Sequence, residues 1–117
     1  MSCWSDSDFA QAEAACQDNG MHLVKIDDAE EDETVWSLAP DDYVWLGGSN
    51  LDDLSVFAWL DGTPFYDFDE PLADVYENFA ATEPYQDERW RCVEQDGDGT
   101  WSTWDCADLQ SFVCERY

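Results

Sequence analysis

The residues best equipped for chemistry in this chain are its acids, its aromatics and five cysteines, Cys3, Cys16, Cys92, Cys106 and Cys114. Carboxylates are hard oxygen donors suited to calcium, and paired carboxylates can cleave glycosidic bonds. Here 29 acids stand against four Lys and Arg, so acids are everywhere and no catalytic pair stands out. Nucleophilic catalysis by Ser or Cys usually needs a neighbouring base, and the one histidine, His22, falls in the pattern of a core strand. The chain is therefore expected not to be an enzyme. No CxxC pair exists, which together with a single histidine argues against zinc. The cysteine count points to export, a cytosolic thiol set or metal site being the competing reading.

The formal net charge of −25 excludes whole classes of partner. Phosphate binding needs Lys and Arg to release counterions, so nucleic acid is not a direct partner. Anionic membranes are excluded on the same ground. No apolar run approaches the ~20 residues that span a bilayer, so no membrane insertion is expected. No basic n-region with an apolar h-region opens the chain. Met1-Ser2-Cys3 reads as a start placed directly on the domain, either native or cut from a longer precursor; an excised or processed extracellular or cell-surface domain is the expectation. Disorder is argued against by 44% hydrophobic and 15% aromatic residues. The 117 residues suit one domain, 1–117.

Local patterns supply the elements that must position these side chains. Asp6 to Asn19 carries small and apolar residues suited to a helix, with Ser7 as cap and Asn19-Gly20 as stop. His22 to Ile26 reads as a strand. Asp28 opens a second helix through Leu38, its early acids favouring the helix dipole, and Pro40 ends it. Strands are expected at Tyr43 to Leu46, closing on Gly47-Gly48, and at Val56 to Leu60 before an Asp61-Gly62 turn. Periodicity fails from Pro64 to Arg91, and a long loop of this kind in a compact domain is usually functional. Strand character resumes at Cys92 to Glu94, Asp96 to Gly99 forms a turn, and strands follow at Thr100 to Trp104 and Ser111 to Glu115. Helices first and strands later give an α+β class.

Ordered landmarks along the whole chain resemble those of the C-type lectin-like domain. They are Ala14-Ala15-Cys16 with Gly20-Met21-His22-Leu23-Val24-Lys25-Ile26, Trp45-Leu46-Gly47-Gly48, Trp59-Leu60-Asp61-Gly62-Thr63-Pro64-Phe65, and Glu83-Pro84-Tyr85. Cys92-Val93-Glu94, Gly99-Thr100-Trp101, Cys106 and Phe112-Val113-Cys114-Glu115 complete the set. The wording of Gly20 to Val24 and of Leu46 to Ser49 resembles bacterial members most. The resemblance implies a C-type lectin fold, two helices flanking small antiparallel sheets with a long irregular loop at about 64–91 as the binding end. It also implies disulfides Cys16–Cys114 and Cys92–Cys106. Cys3 is left over, its partner lost upstream, bridged between chains, or its thiol free.

Calcium-held sugar binding, as the resemblance implies it, uses carboxylates and amides on the long loop and the following strand. Glu83 is in place, with Glu88 and other loop acids nearby. Tyr85, Trp90, Ser102 and Thr103 occupy the remaining ligand positions and are poor calcium ligands, so the calcium and sugar motif reads as degraded. What replaces it, Tyr85, Trp90, Arg91, Ser102, Thr103 and Trp104, has the composition of a protein-binding surface. The competing reading makes Trp90 and Trp104 buried supports and Tyr85 a lone surface aromatic. Arg89 and Arg91 flank Trp90 in a small basic-aromatic patch. The expected function is recognition of a protein or cell-surface ligand, including a glycan. The alternatives are a calcium-dependent lectin with a non-standard site, a structural adhesin module, or a diversified target-recognition protein. The resemblance further implies a structural calcium near Asp27, Glu31 and Glu115, whose mutual repulsion requires a cation. Lys25 or a solvated acidic face is the competing account. A further acidic cluster lies at Asp67, Asp69, Glu70, Asp74 and Glu77.

Overall fold

The computed structural model describes the backbone of residues 2–39 and 42–116, with side chains from residue 7 onward. The expectations placed on Pro40 and on the Cys3 thiol lie outside the described residues. Element order is β1 (Ser2–Ser7), α1 (Phe9–Asp18), β2 (Met21–Leu23), α2 (Ala29–Leu38), β3 (Val44–Ser49), β4 (Val56–Trp59), β5 (Pro64–Asp67), β6 (Cys92–Gln95), β7 (Trp101–Trp104) and β8 (Gln110–Arg116). This order is α+β, two helices with a mostly antiparallel sheet, as expected from the resemblance to the C-type lectin fold.

Three local readings are corrected. Ser7 belongs to β1, and Asp8 caps α1: its side chain accepts from the Gln11 N–H at 2.8 Å in a reciprocal capping box. β1 itself went unread because its Ser and Asp residues lack apolar alternation; it is held by antiparallel pairing of Cys3 with Val113 and Trp4 with Phe112. The segment after Pro64 starts with a strand, β5, whose proline sits at the first position, where a missing N–H is tolerated.

β3 organises the sheet. It pairs in parallel with β8 at Val44 and Trp45, and antiparallel with β6 on one side and β4 on the other. β6 in turn pairs with β7, Cys92 facing Trp104 and Glu94 facing Ser102. Two glycines make this crowding feasible. A Cβ on Gly47 would lie 2.8 Å from the Leu23 carbonyl oxygen, and one on Gly48 would lie 2.6 Å from the Phe65 ring. Leu23 and Phe65 are both buried.

The two sheet faces bury different cores. One joins Val24, Ile26, Val35, Leu46, Phe57, Trp59, Phe65, Val93, Trp101 and Val113. The other, on the α1 side, joins Phe9, Ala12, Cys16, Trp45, Phe112 and Cys114. The two disulfides have the expected pairing, Cys16–Cys114 and Cys92–Cys106, across sequence separations of 98 and 14. On the chain-entropy account the long closure contributes roughly 4–5 kcal/mol and the short one about 3.

Candidate functional site

The irregular segment between β5 and β6 is folded onto the core by specific bonds. Trp101 N–H donates to the Asn78 carbonyl at 2.8 Å, and Ala80 N–H to the Trp101 carbonyl at 2.9 Å. Phe79 packs against Phe57, Phe65 and Trp101. Beneath it lies a node that the sequence reading missed. Asp32, buried on α2, accepts from Tyr76 Oη (2.6 Å), Asn78 Nδ2 (2.9 Å), Gln95 Nε2 (2.7 Å) and Trp101 Nε1 (3.0 Å). Its carboxylate thus joins α2, the loop, β6 and β7. Burial and this carboxylate together push the Tyr76 phenol well above its ordinary range. In the sequence Asp32 is one of several early helix acids suited to the dipole, and only contacts 44 to 69 residues away distinguish it.

The seven residues expected at the binding end divide into two groups. Tyr85, Trp90 and Trp104 form an aromatic ladder. Tyr85 and Trp90 lie 5.2 Å apart between ring centroids, and Trp90 and Trp104 are stacked at 6.4 Å with planes 7° apart. Tyr85 and Trp104 are 42% and 43% exposed, and Trp90 is half-buried between them. The Arg89 guanidinium sits 5.2 Å above the Trp90 ring while pairing with Asp87 at 3.1 Å. That pairing keeps the Asp87 carboxyl below its usual range.

The others hold the ladder's frame. Thr103 is buried, because alternation along β7 turns it inward with Trp101 while Ser102 and Trp104 face the other way. Its N–H and hydroxyl both donate to Glu83 Oε1 at 2.7 Å, and its hydroxyl accepts from the Tyr85 N–H at 3.3 Å. Glu83 is therefore committed to tying the loop segment that carries Tyr85 to β7; the Glu83–Pro84 peptide in that segment is cis. Arg91 points away from the ladder: Nη2 donates to the Asn50 carbonyl at 2.6 Å and Nε to Asn50 Oδ1 at 3.2 Å. Ser102 donates to Asp96 at 2.8 Å. A contact role for Thr103 and Arg91 is thus corrected to a supporting one. The expected Arg89–Arg91 pair also splits, with only Arg89 on the aromatic patch.

Calcium ligation was tested against these donors. At the loop end the only carboxylate among the expected ligand positions is Glu83, already bonded to Thr103, whereas calcium takes six to eight oxygens. Around Lys25 the acids are also engaged. Glu115 accepts from the Lys25 N–H at 2.9 Å and lies 3.7 Å from His22 Nε2, and Glu31 accepts from the Asp27 N–H at 3.1 Å. The Lys25 ammonium pairs with Asp61 at 2.9 Å and Asp27 at 3.7 Å. That ammonium, aided by Thr63, holds the Asp61 carboxyl down to about 2. Burial, then the charges of Asp27, Asp28 and Glu115, push Glu31 up. His22, expected in a core strand, is half-buried on this surface. In the loop, Asp67 accepts from the Asp69 and Glu70 N–H groups, and Glu77 from that of Phe79, which makes them turn formers. Among the described residues no group of three or more His, Cys, Asp or Glu is placed to hold a metal ion. None of the three sets fits calcium as arranged.

Comparison with known proteins agrees with the fold and bears on the site. The family model for the lectin C-type domain matches residues 5–116. Asialoglycoprotein receptor 2 of Mus musculus is 29% identical over 117 residues, covering 92% of this chain and 35% of that protein. The chain thus spans about a third of the length of that relative. Among solved structures, the cow C-type carbohydrate-recognition domain of CD23, determined in the presence of a GlcNAc2Man3 oligosaccharide, superposes with a TM-score of 0.80 at 29% identity. The match covers 97% of this chain and 82% of that one. A calcium-independent type II antifreeze protein superposes with a TM-score of 0.79 at 26% identity, covering 95% and 79%. These mammalian relatives lend no support to the bacterial wording read from Gly20 to Val24 and Leu46 to Ser49. Among the described residues no helix is long and apolar enough to cross a membrane.

Proposed function

The chain belongs to the C-type lectin domain family, and from that premise we propose that it is a non-enzymatic recognition module. It binds a protein or glycan-bearing cell-surface ligand through Tyr85, Trp90 and Trp104, without calcium. The observation that carries this reading is the ladder itself. Three aromatic rings in series, two of them more than two-fifths exposed, stand on a frame of hydrogen bonds, the Trp90–Trp104 pair stacked and Tyr85 tilted against Trp90. Such rigid aromatic area is what recognition surfaces use as anchors, because little side-chain entropy is lost on binding. Arg89 adds a cation beside Trp90 in an otherwise acidic chain.

The names of the relatives support a surface ligand of this class, an asialoglycoprotein receptor and a carbohydrate-recognition domain being among them. The calcium-independent antifreeze protein supports a metal-free route on the same fold. In this reading Lys25, not calcium, supplies the positive charge among Asp27, Asp61 and Glu115. The two disulfides support an oxidising, extracellular or cell-surface setting.

The test is a combined glycan and cell-surface-protein array probed with the full chain, with and without chelator. Binding that survives chelator and falls about tenfold or more in Trp90→Ala and Tyr85→Ala is expected, the loss of a hot-spot anchor being worth about 2 kcal/mol. Thr103→Val, which removes a frame bond but no exposed ring, should weaken binding less than either. Retention abolished by chelator, with both aromatic variants unaffected, would mark the calcium-dependent lectin using Glu83 and Glu88 instead.

A further inference from the structure

Trp104, but neither Tyr85 nor Trp90, also lines an open cleft of about 800 Å³ on the sheet. Its floor follows from register. Glu94 faces Ser102 on β7 and Trp45 on β3, so it lies on the same sheet face as the α1-side core. Gln110, two residues before Phe112 on β8, lines the same cleft. Here the apolar cover gives way to polar side chains: Glu94 is 3% exposed and Gln110 9%. Both polar atoms of the Gln110 carboxamide are buried without a hydrogen-bond partner. The amide lies near enough to Glu94 to favour its ionised form, yet completes no bond of normal geometry. An unpaired buried amide is costly, and each such group calls for an explanation.

The walls narrow the ligand chemistry. Asp96 and Asp108 stand over Glu94 from the end of β6 and from the loop before β8, and no basic residue lines the cleft. Tyr43 and Trp104, 55% and 43% exposed, offer flat apolar faces, and the Trp104 indole N–H is bonded to Asp108. Burial first, then the charge of Asp96, pushes the Glu94 carboxyl up to about 8. The acids therefore crowd a pocket that contains no charge to balance them. A guanidinium answers every part of this arrangement. It is a planar cation with five donors in a fixed fork, it pairs with carboxylates, and it stacks on aromatic rings. Its N–H groups would satisfy Glu94, Asp96 and the Gln110 oxygen, and an acceptor on its carrier would satisfy the Gln110 NH₂.

We propose that this cleft is a second ligand site taking a guanidinium on an aliphatic stem, either an arginine side chain of a partner protein or a free guanidino compound. It shares only Trp104 with the aromatic ladder and does not rest on the function proposed for it. At pH values below about 8, where Glu94 is mostly protonated, binding converts it to its carboxylate and releases up to one proton to solvent. Asp96, Asp108, Asp42 and Glu83 are the other acids around the pocket and its floor, and each adds to the attraction.

Calorimetry on the full chain at about 0.15 M salt tests this, using an acetylated, amidated tripeptide with central arginine, its citrulline counterpart, and n-butylguanidinium. The arginine tripeptide should saturate one site and the neutral citrulline tripeptide should not. Affinity should rise at least about threefold from about pH 6 to about pH 8.5, with proton release at the lower pH. Glu94→Gln and Gln110→Leu should weaken it about tenfold. Asp108→Asn, a rim change that spares the buried floor, should weaken it about threefold. Glu30→Gln, on the exposed face of α2, should leave it unchanged. A stronger response to the tripeptide assigns the site to a partner's arginine, and a stronger response to n-butylguanidinium to a free compound. No saturable binding, equal binding of citrulline, or equal weakening by Glu30→Gln and Asp108→Asn would overturn the proposal, the last because it marks diffuse attraction to a highly acidic chain.

Discussion

At the scale of single residues, two buried carboxyl groups behave in opposite ways. Asp32 is surrounded by donors from Tyr76, Asn78, Gln95 and Trp101. Removing it leaves the Trp101 indole N–H buried and unpaired and leaves the Gln95 amide only the Asp32 backbone carbonyl, so Asp32→Ala should cost about 2–5 kcal/mol in urea unfolding. A loss below about 1 kcal/mol would show that the node does not hold the loop. Glu94 has no such donor set, and burial raises its carboxyl to about 8 in the folded chain. A raised acid contributes its stability below the unfolded value and loses it as pH climbs through the folded one. Thermal stability should therefore decline between about pH 4.5 and about pH 8 and level off above, and Glu94→Gln should remove much of that slope. An equal slope in wild type and variant would contradict it. Neither residue could be singled out among 29 acids, because what distinguishes them is the set of distant groups packed around them. Thr103 was more legible than it was read to be. Alternation between Trp101 and Trp104 on a four-residue strand already turns it inward.

At the scale of elements, those with a local signal were found from the sequence and those made by pairing were not. α2 and its Asp28 cap, β4 with its Asp61-Gly62 turn, and the Asp96 to Gly99 turn carry their own signals. β1 has no apolar alternation and exists through β8, while β5 begins at a proline that masks it. Arg91 was read as a contact because it adjoins Trp90 in sequence, but its bonds to the Asn50 segment come from β3's far end. The disulfides show a difference between elements. Cys92–Cys106 ties β6 to the turn after β7, beside Trp104, whereas Cys16–Cys114 ties α1 to β8. Replacing the first pair by Ser should cost about 3 kcal/mol and raise hydrogen exchange around β7. Replacing the second should cost roughly 4–5 kcal/mol, with exchange raised throughout. Equal losses with identical exchange maps would show that the two bridges act on one cooperative unit without local effect.

At the scale of the whole molecule, the acid excess is spread over the helices and loops, and basic side chains are few. Lys25 neutralises one acidic corner through Asp61 and Asp27, and Arg91 is bound to backbone carbonyls. Arg89 is therefore the cation that accompanies the exposed aromatic ladder. A surface so negative repels most acidic partners and leaves the ladder as a low-charge platform. This arrangement favours recognition by the aromatic ladder over recognition by a calcium-centred carboxylate cage. The direct measurement is array binding of the wild-type chain and of Trp90→Ala, each with and without chelator. Wild-type binding should be unchanged by chelator and reduced about tenfold or more by Trp90→Ala. Binding that chelator abolishes and Trp90→Ala leaves intact would contradict it.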